Sequence, residues 1–370
     1  MGADRALRRI LLQPVDRIPH WEHISNPDFI RLVSGIDPYE HPRQAALRAL
    51  ELLPIDMGMG VPATDDPIAP LPEDQSSFVG EDGRRRVRWG TNLTGHWAWG
   101  EGFTSVEQAL AYQPLEHLDL REAEVIARMD YSRSVEDIAR DMQGGPLPEP
   151  GGPRATHLKG GSFYNTLFMW PLLTFGWEIF LELAGGHKDE LKRLMADFAC
   201  LSRKVFQAAA LTDLNYFVCH DDICMARGPV CSPAWLREFI YPYYEEFFGT
   251  MGQAGIKVLF MTDGNPDLIV DDVLACGAHG IISEPFGDYE AIARRYPDIF
   301  LAGQGDNRIL QSNDRDAIEV MTRRMCQVGR MCRGYFMCIG NHIPWNVPAE
   351  AVKWYFDCSE RYGVLDASTL

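Results

Sequence analysis

Short runs of β-branched and apolar residues recur along the chain, separated by longer stretches that read as helices, and this alternation predicts parallel βαβ construction. The predicted strands are 18–24 (IPHWEHI), 55–61 (IDMGMGV), 156–162 (THLKGGS), 215–221 (NYFVCHD), 256–262 (IKVLFMT), 280–285 (GIISEP), 300–305 (FLAGQG) and 334–340 (GYFMCIG). Eight such strands are what a closed barrel requires. Predicted helices run from Pro42 to Leu53, Lys188 to Leu211, Pro233 to Gly252, Leu268 to Cys276, Asp314 to Val328 and Pro348 to Tyr362. Their ends carry the expected punctuation. Ser232 is an N-cap before a proline at the first helical position, Gly277 closes the helix at Cys276, and Pro348 opens the last helix. The right-handed crossover rule winds these units one way. The expected fold class is therefore α/β, a (β/α)8 TIM barrel.

The stretch 62–153 does not fit a simple βα unit. It holds acidic loop sequence, the turn EDGR, a candidate strand at 86–92 and the Pro/Gly-rich stretch LPEPGGPR. We read it as an insertion in the N-terminal half of a single barrel domain spanning 1–370. A domain linker at Pro146 to Pro153 is the other reading, but the predicted strands fall on both sides of it. The length of 370 residues suits either one barrel with insertions or two to three domains.

Composition refines this. With 46% apolar and 24% charged residues the chain is ordinary globular material. A formal net charge of −17 opposes a phosphate backbone, so nucleic acid is not an expected partner. The densest basic run, Arg84 to Arg86 with Arg88, stands between Glu81 with Asp82 and Trp89, and reads as a solvated turn. No apolar stretch is long enough to cross a bilayer, and the start MGADRALRRILLQPVDRIPHW has too short an apolar run for a signal peptide. A cytoplasmic location is expected, with no membrane partner. The nine cysteines all fall from Cys200 onward in a long chain, which predicts reduced thiols.

In a parallel barrel the functional groups gather at the carboxyl ends of the strands. Those ends carry Glu22 and His23, then His220, Asp221 and Asp222, then Asp263, Glu284, Gln304 with Asp306, and Cys338 with Asn341 and His342. Each has a structural reading beside the chemical one. Asp263 serves equally well as the N-cap of the next helix, and His342 as a loop histidine buttressing the turn before Pro344. Asp221 and Asp222 point opposite ways in an extended segment, and Asp222 shares the parity of His220. The candidate catalytic residues are His220, Asp222, Asp263 and Glu284. His23, Tyr164, Asp306, Asn341 and His342 are candidates for substrate binding.

Cys219, Cys224, Cys231, Cys326, Cys332 and Cys338 lack the CxxC pairs of a structural zinc knuckle. Only Cys338, at a strand end, is a candidate ligand. Trp97, Trp99, Phe163, Tyr164, Trp170, Trp177 and Trp345 fall in or near the loops expected over the barrel, where they suit a planar apolar ligand or simply pack the loops.

Three segments, HDDICMARGPVCSPAWLREFIYPYYEEFF, GIKVLFMTDGNPDLIVDDVLACGAHGIISEP and GNHIPWNVPAEAV, resemble the uroporphyrinogen decarboxylase superfamily and its corrinoid-dependent methyltransferase branch. The likeness is specific from about Asn215 to Tyr362 and looser from Pro14 to Leu53. It implies a (β/α)8 barrel. The decarboxylases carry an arginine-rich segment close to RQAGRY near the amino end, which grips the carboxylates of the substrate, whereas this chain has IPHWEHISNPDF there. Without those guanidinium groups a polyanionic tetrapyrrole meets an acidic rim, so its decarboxylation is not expected.

Thiol-activating methyltransferases of this family hold zinc with a His-x-Cys at strand five and a Cys at strand eight. Here Phe260, Met261, Thr262 and Asp263 fill the first stretch, while Cys338 stands where the distant Cys is expected. Met261 is a poor Zn²⁺ ligand, so thiolate activation by the usual set is not expected. The resemblance instead implies an oxygen-rich site for another methyl donor. Its metal, if zinc, would lie on His220, Glu284 and Cys338. The expected function is transfer of a methyl group from a small methoxylated, including aromatic, donor to a corrinoid (cobalamin) carried by a partner protein. A lyase that decarboxylates a small organic acid, and a noncatalytic binding barrel, are the alternatives.

Overall fold

The computed structural model describes residues 2–70, 76–79, 85–91, 93–95, 102–116 and 131–365. Every predicted strand segment holds a strand: β1 His20–Trp21, β2 Ile55–Met57, β3 Gly160–Tyr164, β4 Tyr216–His220, β5 Lys257–Met261, β6 Gly280–Ile282, β7 Phe300–Ala302 and β8 Gly334–Tyr335. The helices Pro42–Leu52, Lys188–Ala210, Val270–Ala275, Arg315–Met331 and Ala349–Tyr362 also lie where the pattern places them.

One predicted helix is broken. The segment from Pro233 forms Pro233–Phe239 and Tyr241–Gln253, with Ile240 between them. Pro242 lacks an N–H and its ring would clash with the carbonyl four residues back, so a continuous helix is not available. The helix Met169–Gly186 is absent from the sequence reading because MWPLLTFGWEIFLELAGG shows no polar face for a period to stand out against. Gly176 interrupts it at φ 78°, a left-handed conformation that a residue with a Cβ adopts at a cost.

The chain divides into two compact units. One comprises 97–281; the other is discontinuous, 1–96 with 282–370. In the continuous unit β3, β4 and β5 are parallel, with β4 between the other two. Phe217, Val218, Cys219, Val258, Leu259 and Phe260 are buried in unbroken runs, as strands covered on both faces must be. Aromatic packing fills the space around them: Trp170 stacks on Phe198 at 5.7 Å and Phe206 on Phe247 at 4.8 Å. Trp170 is thus core rather than a loop residue awaiting a ligand. The tail of the expected insertion is not peripheral either, because Ile138 and Ala139 on the helix Val135–Gln143 pack against Ala208.

In the discontinuous unit β1 pairs parallel with β2 and β7 with β8. Parallel bridges join His20 to Met337, Ile24 to Ile343 and Gly305 to Ile339. The helix Ala349–Tyr362 is fastened to β1 by buried polar contacts: Glu22 accepts from the Tyr355 hydroxyl at 2.6 Å, and His20 Nε2 lies 2.8 Å from Ser359 Oγ. Full pairing of these buried groups removes the desolvation penalty they would otherwise carry.

The basic run, expected as a solvated turn, is a strand that overlaps the candidate strand at 86–92. Arg85–Arg88 runs antiparallel to Ser77–Val79 and to Leu93–Gly95, and Arg88 is buried over the Trp345 ring at 4.1 Å. The planar guanidinium stacks on the indole face, which the charge pattern alone does not reveal. Glu81, Asp82, Arg84, Trp97 and Trp99 lie outside the described residues. No helix among the described residues is long and apolar enough to cross a membrane.

Candidate functional site

The register of the continuous unit sets its site. Tyr164 of β3 stands opposite His220 of β4, and His220 opposite Met261 of β5. Successive side chains of an extended chain alternate in direction, so Asp222 and Asp263, each two residues further on, project on the side of the imidazole while Asp221 turns away. His220 Nε2 lies 3.0 Å from Asp222 Oδ1. The same oxygen accepts the backbone N–H of Asp263 at 2.9 Å. The Tyr164 ring sits on the imidazole, centroids 3.9 Å apart, and its hydroxyl donates to Asp222 Oδ2 across 3.4 Å.

The two ionisable groups act as a pair. Burial works against a charged His220, but the hydrogen bond and charge of Asp222, with Asp263 and Asp221 beyond, raise its pKa above the usual value. Burial likewise opposes the charge on Asp222, and the contacts from His220, the Asp263 N–H and Tyr164 hold its pKa below the ordinary carboxylate range. The result is a hydrogen-bonded histidine–aspartate pair in which each partner favours the charged form of the other, with side chains that remain 13% and 18% exposed, within reach of a ligand.

Asp221 has a different task. It is fully buried and accepts the backbone N–H groups of Leu167 and Phe168 at 2.6 Å and of Met169 at 2.9 Å, together with the Tyr244 hydroxyl at 2.7 Å. Two of these donors, Phe168 at the N-cap and Met169 at the first position, are unpaired amides at the start of the helix Met169–Gly186, which need an acceptor, and Leu167 just precedes them. The carboxylate therefore fixes that helix directly behind the strand end that carries His220. Burial still pushes its pKa up to about 6, against the pull of its donors.

Asp263 is not a helix cap, because the next helix begins at Val270 with Ile269 at its N-cap. Asp263 instead joins His220 and Asp222 in a group whose possible ligand atoms lie within 4.8 Å of one another. An imidazole nitrogen with two carboxylate oxygens is a fitting donor set for a divalent cation such as Zn²⁺. No thiol belongs to it. Glu284 and Cys338, the other members of the metal set expected from sequence, belong to the discontinuous unit. Cys338 Sγ donates to the Ile339 carbonyl at 3.4 Å, and burial with the nearby Glu22 charge keeps the thiol protonated.

The discontinuous unit carries the remaining candidates. Asp306 caps the helix Asn307–Gln311 through the Arg308 N–H and binds the Arg308 guanidinium with both oxygens, which accounts for its position without a substrate. His23 is exposed at the end of β1, and its carbonyl accepts the Ile343 N–H at 2.8 Å. Glu284 follows β6 and is partly exposed. Asn341 takes a left-handed conformation, φ 70°, and its Oδ1 lies 2.8 Å from His342 Nδ1. Trp89 packs edge-on against the His342 ring at 4.1 Å. Asn307, which sequence reasoning passed over, donates to the carbonyls of Gly340 and His342 and so holds this loop. Nothing in its sequence context marks that role. A cleft of about 970 Å³ in the same unit, lined by Arg31, Tyr39, Arg88, Trp345 and Pro348 among others, contains none of the predicted site residues.

Comparison with known proteins gives a fold and a family. No curated protein matches the chain. Among solved structures, a methyltransferase from Methanosarcina mazei is similar over 98% of this chain and 98% of its own, with 16% identity and a TM-score of 0.59. At that identity the likeness shows the fold, the (β/α)8 barrel expected from the strand count. A xylose isomerase-like TIM barrel protein from Mycobacterium smegmatis, solved with magnesium, is 14% identical over 46% of this chain and 69% of its own, with a TM-score of only 0.27. The model of the uroporphyrinogen decarboxylase (URO-D) family matches residues 176–362, a span that includes β4 to β8 and the His220, Asp222 and Asp263 group. With half of its length accounted for by that match, the chain belongs to the URO-D family.

Proposed function

We propose that this chain is a corrinoid-dependent methyltransferase that demethylates a small methoxylated compound, aromatic ethers included. The observation that carries the reading is the His220–Asp222 pair, an imidazole held at a strand end between a carboxylate and the Tyr164 ring, its pKa raised by that carboxylate. An ether oxygen is a poor leaving group until it is protonated or bound to a Lewis acid. His220 donates the proton to that oxygen as the O–CH₃ bond breaks, and the ether leaves as a neutral phenol or alcohol. Asp222 keeps the imidazole charged and fixes its direction, while the Tyr164 ring provides an aromatic face beside the donor. The corrinoid, carried by a partner protein, supplies the cobalt electron pair that takes up the methyl group.

A divalent cation on His220, Asp222 and Asp263 would provide Lewis acidity at the same oxygen, and the donor set fits one. His220 would then be a ligand and would no longer titrate. The likeness in fold to a methyltransferase supports the choice of reaction. Incubation with cob(I)alamin and a panel of methoxyarenes is the test. Release of the free phenol is expected, and inactivity with every donor counts against the reading. Carbon dioxide release from a small acid without any corrinoid would favour a lyase.

A further inference from the structure

Asn165 follows Tyr164 at the end of β3, and its two neighbours in the chain both touch His220: the Tyr164 ring lies on the imidazole, and the Thr166 N–H donates to the His220 carbonyl at 2.9 Å. Its φ of 60° is left-handed, a region that asparagine enters more readily than most residues with a Cβ. An asparagine placed there commonly bonds nearby backbone through its side chain. This one does not. The residue is 1% exposed, and neither Oδ1 nor Nδ2 has a hydrogen-bond partner. The backbone conformation accounts for the residue type but not for the unpaired amide, since a buried polar group without a partner costs stability. Asp221 nearby is equally buried, yet four donors satisfy it. Asn165 brings a donor and an acceptor to the same strand end and uses neither within the protein.

A carboxamide presents its acceptor and its donor side by side in one plane, so it selects a partner edge with the same pair reversed. An ionised carboxylate brings no hydrogen to Oδ1, and Asp222 and Asp263 beside His220 oppose its charge. An ammonium group offers nothing to Nδ2, and an ether nothing to Oδ1. A lone hydroxyl, with its donor and acceptor on a single oxygen, cannot align with both atoms. A second carboxamide satisfies both, its N–H donating to Oδ1 and its carbonyl accepting from Nδ2.

We propose that Asn165 is a specificity-determining residue of the His220 site and takes the amide edge of an aromatic carboxamide, admitted by a shift of the adjoining Tyr164 ring, since both Asn165 atoms are closed to solvent. This rests on the reading of that site as one for methoxylated aromatic donors, and narrows the donor to one bearing a neutral amide. Binding is measured without cobalamin, so failed methyl transfer and failed amide recognition are separate results. The test is ¹H–¹⁵N NMR of the asparagine-labelled protein, with the Asn165 side-chain signal assigned by its loss in Asn165→Gly. The protein is titrated with benzamide and the methoxybenzamides, and separately with anisole and benzoate. The Asn165 amide signal is expected to move downfield with the amides and to stay in place with the other two. Asn165→Gly keeps the left-handed backbone without steric cost. It should weaken amide binding about thirtyfold, the loss of two hydrogen bonds, and leave anisole binding within about twofold. The proposal is overturned by equal responses to anisole or benzoate, or by unchanged amide affinity in a folded Asn165→Gly protein. Absence of any response of Asn165 to the amides, which would mean that water alone serves its side chain, overturns it as well.

Discussion

At the scale of single residues the account rests on two adjacent carboxylates with opposite assignments. Asp222 charges His220, so Asp222→Asn should lower the His220 pKa, and NMR titration of the imidazole will report the shift. The same substitution should move the high-pH limb of activity to lower pH, because the proton donor is lost earlier as pH rises. Asp221 should behave otherwise. Its folded pKa of about 6 exceeds the 3.8 of an ordinary aspartate, so between those values the folded protein holds a proton that the unfolded chain has released. The contribution of this group to stability therefore falls as pH rises through that window. Urea unfolding of wild type and Asp221→Asn on either side of it should show the wild-type advantage shrinking with pH. Asp221→Ala, which strands the donors at the head of a helix, should cost about 2–4 kcal/mol at any pH above the window. The parity of His220 and Asp222 was readable from alternation along a strand. The role of Asp221 was not, because its partners come from a helix with no periodic signal.

At the scale of elements the strands were legible because a buried parallel strand must be a short apolar run, and turn residues bound each one. Caps were legible for the same local reason: Ser232 accepts from the Trp235 N–H at 3.2 Å, as its place before Pro233 predicts. What escaped notice depends on distant contacts, as with Arg88 finding the Trp345 face. Gly303 shows how tightly the strand ends are set. It sits at φ 109° after β7, and a Cβ there would meet the Ser283 carbonyl oxygen at 1.6 Å. Gly303→Ala should therefore destabilise the protein by about 3 kcal/mol or more, a shift in urea midpoint that chemical denaturation will measure.

At the scale of the whole molecule, the strand count and the family likeness pointed to one architecture by separate routes, and the URO-D match agrees with both. Within the continuous unit His220 keeps company with two carboxylates, since Asp222 and Asp263 follow it by strand parity and register. The most direct test of the account is the rate at which phenol is released from a methoxyarene in the presence of cob(I)alamin, compared between wild type and His220→Asn. The account predicts release by wild type, and a loss of about 10²- to 10⁴-fold in a folded His220→Asn protein, as expected for removal of a general acid. Equal rates in the two proteins would contradict it.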